Sequence, residues 1–202
     1  MAKTQLHMMR SDPDTAFDTY GFIPGHGGAL SAECSVKITK LFDRIYKIEP
    51  DFSGRGDYFF AYGRYKAPAY VEVPVGRPDG TVVFTAPMNG CSLQVNKVKG
   101  GFHFYHDPFS TSMSGDEPGE IVCRVEPKDY DKIDLGSQQI AAQRGSSYGG
   151  TYGIAIVSIH HAGKWKVYSS PVAGPVSNKG QLASAYSFRA SITSLMTSFA
   201  DD

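Results

Sequence analysis

Short runs of this chain alternate apolar and polar residues with a period of two, the pattern of strands that bury one face. Ser92 to Val98 is the clearest, with Leu93 and Val95 sharing a face with Cys91. Gly100-Gly101 then turns the chain, and Phe102 to His106 returns as a second strand, which predicts a hairpin. Tyr58 to Tyr65 is an aromatic run typical of a strand, Tyr70, Val71 and Val73 make a short strand before Pro74, and Thr81 to Phe84 reads as a fully buried one. Ile121 to Val125 is a further strand, and Tyr152 to His160 with Trp165 to Tyr168 forms another hairpin across His161 to Lys164.

Helical spacing appears in two places. Leu41, Phe42, Ile45 and Ile48 fit a helix that follows the strand-like pair Val36 and Ile38, although the stretch is ambiguous. Phe188, Ile192, Leu195, Met196 and Phe199 predict a C-terminal amphipathic helix packed on a sheet. A short helix is also expected over Gln138 to Arg144. Residues 1–20 are polar around Ser11-Asp12-Pro13-Asp14 and read as a flexible arm, which leaves 21–202 as a single domain. The expected fold class is α+β, with mostly antiparallel or mixed β-sheets packed as a sandwich and helices at the flanks.

Composition narrows the function classes. The 202 residues carry a formal net charge of zero and no block of Lys or Arg, so neither nucleic acid nor an anionic membrane is an expected partner. No apolar run reaches membrane-spanning length, so no membrane anchor is expected. The first ten residues lack the apolar stretch of a Sec signal, so the chain is expected to be made as a soluble cytosolic protein.

The three cysteines, Cys34, Cys91 and Cys123, are too few and too far apart for a disulfide framework or a metal knuckle. His26 lies in the turn cluster Pro24 to Gly28 and reads as an exposed loop residue. Gly145 to Gly153 is rich in Gly, Ser and Tyr. It lacks the Gly-Lys-Ser/Thr ending of a phosphate loop and reads as a flexible loop.

Only one place brings a nucleophile near a base. If an even-numbered loop closes the hairpin, paired residues have numbers with an odd sum, and His106 then shares a face with Cys91. His103 and Asp107 fall on the opposite face. An imidazole within reach of a thiol can remove its proton, and a bend at Asn89-Gly90-Cys91 can leave main-chain N–H groups free for an oxyanion. On spacing alone the plainer reading stands ahead: a buried cysteine after an Asn-Gly turn, in a β-rich binding or structural domain. A metal site of His103, His106 and His160 or His161 is disfavoured, because His103 and His106 should face apart on their strand.

The segment Phe84-Thr85, three residues, Asn89-Gly90-Cys91, a Gly-containing hairpin and an aromatic-His resembles the active-site region of the Burkholderia lethal factor. More distantly it resembles the catalytic domains of the cytotoxic necrotizing factors. The resemblance spans about two dozen residues. It implies a protein-glutamine deamidase toxin, of a sandwich fold, with catalytic Cys91, His106 and Thr85. Thr85 stands six residues before Cys91, as in the lethal factor, and His106 follows by fifteen, as in the necrotizing factors. Asn89 stands where these toxins usually carry Ser. The resemblance further implies no cofactor or metal and a monomer secreted into the host cytosol. Its target would be a host protein, such as a translation-initiation helicase or a Rho-type GTPase. It moves the catalytic reading ahead. Transglutamination and peptide cleavage through the same thioester stay open.

Overall fold

The computed structural model describes residues 4–25, 30–41, 44–62, 68–88, 90–130, 153–173, 188–189 and 195–201. His26, Asn89, the helix expected over 138–144 and nearly all of the 145–153 loop lie outside the described residues.

The described strands form two sheets. The larger has the strand order β1 (Gly21–Pro24), β3 (Ile45–Asp51), β2 (Ala32–Lys40), β4 (Asp57–Phe60), β6 (Val82–Thr85), β10 (Gly153–His161), β11 (Lys164–Ala173), β12 (Phe188–Arg189). A further strand, β13 (Leu195–Ala200), also pairs with β11. The smaller has the order β5 (Ala69–Pro74), β8 (Gly101–Asp107), β7 (Ser92–Val98), β9 (Glu120–Val125). Two pairs, β1 with β3 and β4 with β6, are parallel. The β-rich α+β expectation holds.

The central strands explain the layering. β4 and β6 are buried along their whole length, so each feeds two cores. Tyr58, Phe60 and Val83 face the small sheet, where they join Val71, Val95, Phe102 and Phe104. Phe59, Val82 and Phe84 face the other way, toward Phe22, Tyr46, Ile48 and Phe17. The large sheet curls enough that the Phe22 amide of β1 donates to Ser170 Oγ of β11 at 2.6 Å.

Three expectations are corrected. Residues 4–20 are not a loose arm: α1 (Gln5–Ser11) and α2 (Pro13–Thr19) pack on the large sheet with Met9, Ala16 and Phe17 buried. Asp12 ends the first helix, and its side chain accepts from the Thr15 amide of the second at 3.2 Å, with Pro13 in the first turn. That is an N-cap followed by a proline, a start signal rather than a loop. Asp14 then accepts from Lys166 Nζ and from the Tyr168 hydroxyl, each at 2.6 Å.

The helix expected around Ile45 and Ile48 does not form, because Ile45–Asp51 is strand β3, held between β1 and β2. The expected C-terminal helix is likewise strand wherever it is described. Phe199 lies opposite Trp165 and stacks on Phe102 and Phe104. An unpaired strand edge recruits a partner strand more strongly than spacing alone favours a helix.

Candidate active site

The five residues between Thr85 and Cys91 carry the chain from one sheet to the other. Thr85 is the last residue of β6, opposite Phe60 of β4 in the large sheet. Ser92 opens β7 in the small sheet, so Cys91 stands at its entrance. The Met88 amide donates to the Ile154 carbonyl at 3.0 Å and pins the crossing to β10. Gly90 has φ 72°, a left-handed conformation that glycine adopts without strain, and open space where a Cβ would be. The Tyr130 hydroxyl, from the short helix α3 (Pro127–Tyr130), donates to the Cys91 carbonyl at 2.5 Å and fixes the backbone there.

The hairpin has the expected register. β7 and β8 are joined by the two-residue loop Lys99-Gly100, with Ser92 opposite Asp107 and Leu93 opposite His106. The irregularity in this sheet falls between β7 and β9, so it does not disturb the face assignment. His106 points inward with Leu93 and Cys91. Cys91 immediately precedes β7, two positions before Leu93, the residue opposite His106. His103 pairs with Asn96 on the outer face. There its ring contacts Tyr70 and lies 3.1 Å from the Tyr105 hydroxyl. The alternative metal site is therefore not assembled. Among the described residues no group of three or more His, Cys, Asp or Glu is placed to hold a metal ion.

Thr85 and His106 come from different sheets and meet at the core between them. Thr85 Oγ1 donates to the Phe60 carbonyl at 2.8 Å and lies 2.7 Å from His106 Nδ1. A hydroxyl has one proton. With that proton given to the carbonyl, Thr85 can only accept from the ring, so Nδ1 carries the hydrogen. Nε2 is left with its lone pair, buried and, among the described residues, without a hydrogen-bond partner. This is the tautomer a general base needs.

Burial lowers the His106 pKa from 6.5 to about 4, so the ring is neutral near pH 7. The folded value lies below the unfolded one, so the unfolded chain takes up this proton first as pH falls. Stability from this residue is full above about pH 6.5 and lost progressively down to about pH 4, by about 3 kcal/mol. NMR titration of the His106 ring in the folded protein is expected to show a neutral Nδ1–H imidazole at pH 6. A midpoint near 6.5 would overturn this.

Cys91 is 2% exposed. Tyr62, at 44%, packs edge-on to His106 with ring centroids 5.2 Å apart. Partial burial, and after it a contribution from Cys91, raise its phenol pKa. Burial pushes the Cys34 and Cys123 thiols each up to about 12 and holds them protonated. Sequence reasoning missed Tyr62, Tyr130 and the Phe60 carbonyl. The aromatic run around Tyr62 carries only the pattern of a strand, and a main-chain acceptor leaves no mark in a sequence.

No family model matches this chain, and no curated protein matches it in sequence. No helix among the described residues is long and apolar enough to cross a membrane.

Proposed function

We propose that this protein is a cysteine-dependent amidohydrolase that deamidates glutamine side chains of a host protein, as a secreted toxin or effector. The observation that carries the reading is the Thr85–His106 contact, which leaves His106 Nε2 as a free base on the Cys91 face. The sandwich of sheets and the resemblance of residues 84–107 to lethal-factor and necrotizing-factor deamidases support it further.

In the proposed reaction His106 Nε2 takes the thiol proton as Cys91 Sγ bonds to the carboxamide carbon. Main-chain N–H groups at the Gly90-Cys91 bend stabilise the oxyanion. His106 returns the proton to nitrogen, the C–N bond breaks and ammonia leaves. Water then attacks the thioester, His106 takes its proton, and the C–S bond breaks to give glutamate and free thiol. The partner protein gains one negative charge.

The test is peptide mass spectrometry of host-cell lysate treated with wild-type protein or with Cys91→Ser. A Gln-to-Glu change present only with wild type is expected. Cross-linked or cleaved products in its place would assign the thioester to transglutamination or proteolysis. No change, with Cys91 inert to alkylation, would return the chain to a non-enzymatic binding domain.

Thr85→Val is expected to lower kcat by roughly 10²-fold or more with little change in KM, because it frees the ring to take the wrong tautomer. Thr85→Ser should restore most of the rate. His106→Ala should abolish activity and His103→Ala should not. Equal loss at both histidines would sink the face assignment.

A further inference from the structure

The outer face of the small sheet carries a feature that the Cys91–His106 pair does not use. The chain between residues 110 and 120 folds back over β7 and encloses a cavity of about 280 Å³. Gln94 and Asn96 of β7, Asp107 of β8 and Arg124 of β9 line it from the sheet, and Glu117 lines it from the covering loop.

Asp107 is the unusual group. Its side chain is fully buried. Oδ1 accepts from the Ser112 amide at 2.7 Å, but Oδ2 has no hydrogen-bond partner. The guanidinium of Arg124 comes only to 3.7 Å of Oδ2. Arg124 is engaged elsewhere, donating to Gln94 Oε1 at 2.6 Å and to Glu126 Oε1 at 3.2 Å. A buried carboxylate oxygen without a donor is costly, and a donor entering the cavity would relieve it. Asp107 and Glu117 bring two negative charges to the lining against the single positive charge of Arg124, so the lining favours a cation. The space suits a small planar or tetrahedral head group with a few methylenes.

We propose that this cavity is a binding site for an organic cation, a guanidinium or alkylammonium group, held through Asp107 Oδ2. The site is separate from the catalytic face, yet it touches the same turn. Ser110 lines the cavity, and its hydroxyl donates to the Gly90 carbonyl at 3.3 Å and accepts from Ser92 Oγ at 2.6 Å. A cation seated there is one hydrogen-bonded residue away from the Gly90-Cys91 bend. The chemistry is shared by a free polyamine and by an arginine or lysine side chain of a polypeptide. The proposal stands whether or not the chain is an amidohydrolase.

The test is NMR titration of the full chain, reading the side-chain amides of Gln94 and Asn96. The probes are agmatine, neutral butyramide and the blocked peptide acetyl-Gly-Arg-Gly-amide. Saturable shifts are expected with a cation and none with butyramide. Asp107→Asn, which keeps an acceptor for the Ser112 amide, should raise the Kd at least tenfold, and Cys91→Ala should leave it unchanged. Saturation by the peptide as well as agmatine would assign the site to a polypeptide side chain, and saturation by agmatine alone to a free amine. Equal response to butyramide, no saturation with either cation, or an unchanged Kd in a folded Asp107→Asn variant would overturn the proposal. If that variant does not fold, the wild-type comparison of cation with butyramide decides.

Discussion

Cys91→Ala is expected to lose glutamine deamidation by on the order of 10⁴- to 10⁶-fold, the loss seen when the nucleophile of a concerted catalytic unit is removed. The fold should survive. Cys91 belongs to the buried core cluster that also holds Tyr58, Met88, Leu93, Tyr130 and Ile154. Exchanging its sulfur for a hydrogen leaves only a small void there, and the hydrogen bond to Tyr130 uses the Cys91 carbonyl, which alanine keeps. Circular dichroism and the melting temperature should therefore stay close to wild type while activity disappears. Cys34→Ala and Cys123→Ala serve as controls, since burial holds both thiols protonated up to about pH 12. Alkylation should follow the same order, with Cys91 modified well before the other two at neutral pH. Retained deamidation in a folded Cys91→Ala variant would remove the mechanism altogether.

The face assignment behind that prediction was legible in the sequence because strand side chains alternate with a fixed period, and a two-residue loop preserves parity. The same logic placed His103 and Asp107 outside. The Thr85–His106 contact is another matter. It joins two sheets, so no local period encodes it, and only the resemblance pointed to Thr85. Elements were misread where local and non-local demands compete. Ile45, Tyr46 and Ile48 suit a helix face, but partner strands on both sides hold them extended. Leu195 and Phe199 share helical spacing, yet the exposed edge of β11 takes that segment as a strand. The N-terminal helices were lost for a different reason. Each is seven residues long, below what is stable alone, and exists because Met9, Ala16 and Phe17 dock on the sheet.

Asp57→Ala is expected to destabilise the protein by about 3–5 kcal/mol, the cost of breaking a buried ion pair from one side. Asp57 is 1% exposed and opens β4. Both carboxylate oxygens are fully used. Oδ1 accepts from Arg10 Nη1 and from the Val82 amide, each at 2.9 Å. Oδ2 accepts from Arg10 Nη2 at 2.5 Å and from the Val36 amide at 2.9 Å. One side chain thus joins β2, β4, β6 and α1. Alanine would leave two main-chain N–H groups without an acceptor, and unpaired buried donors cost about 1–3 kcal/mol each. For a domain with a total stability of about 5–15 kcal/mol this is a large fraction, and the melting temperature should fall by roughly 10 °C. Asp57→Asn keeps one acceptor oxygen and should cost less. The loss should also be local before it is global. Arg10 still donates to the Gly80 carbonyl at 2.7 Å, but its charge is no longer neutralised, and α1 is too short to persist undocked. Trypsin should therefore cut after Arg10 faster in the variant than in wild type at temperatures well below melting. A melting temperature within about 3 °C of wild type, together with unchanged cleavage at Arg10, would show that the network only decorates a helix held by Met9 and Phe17.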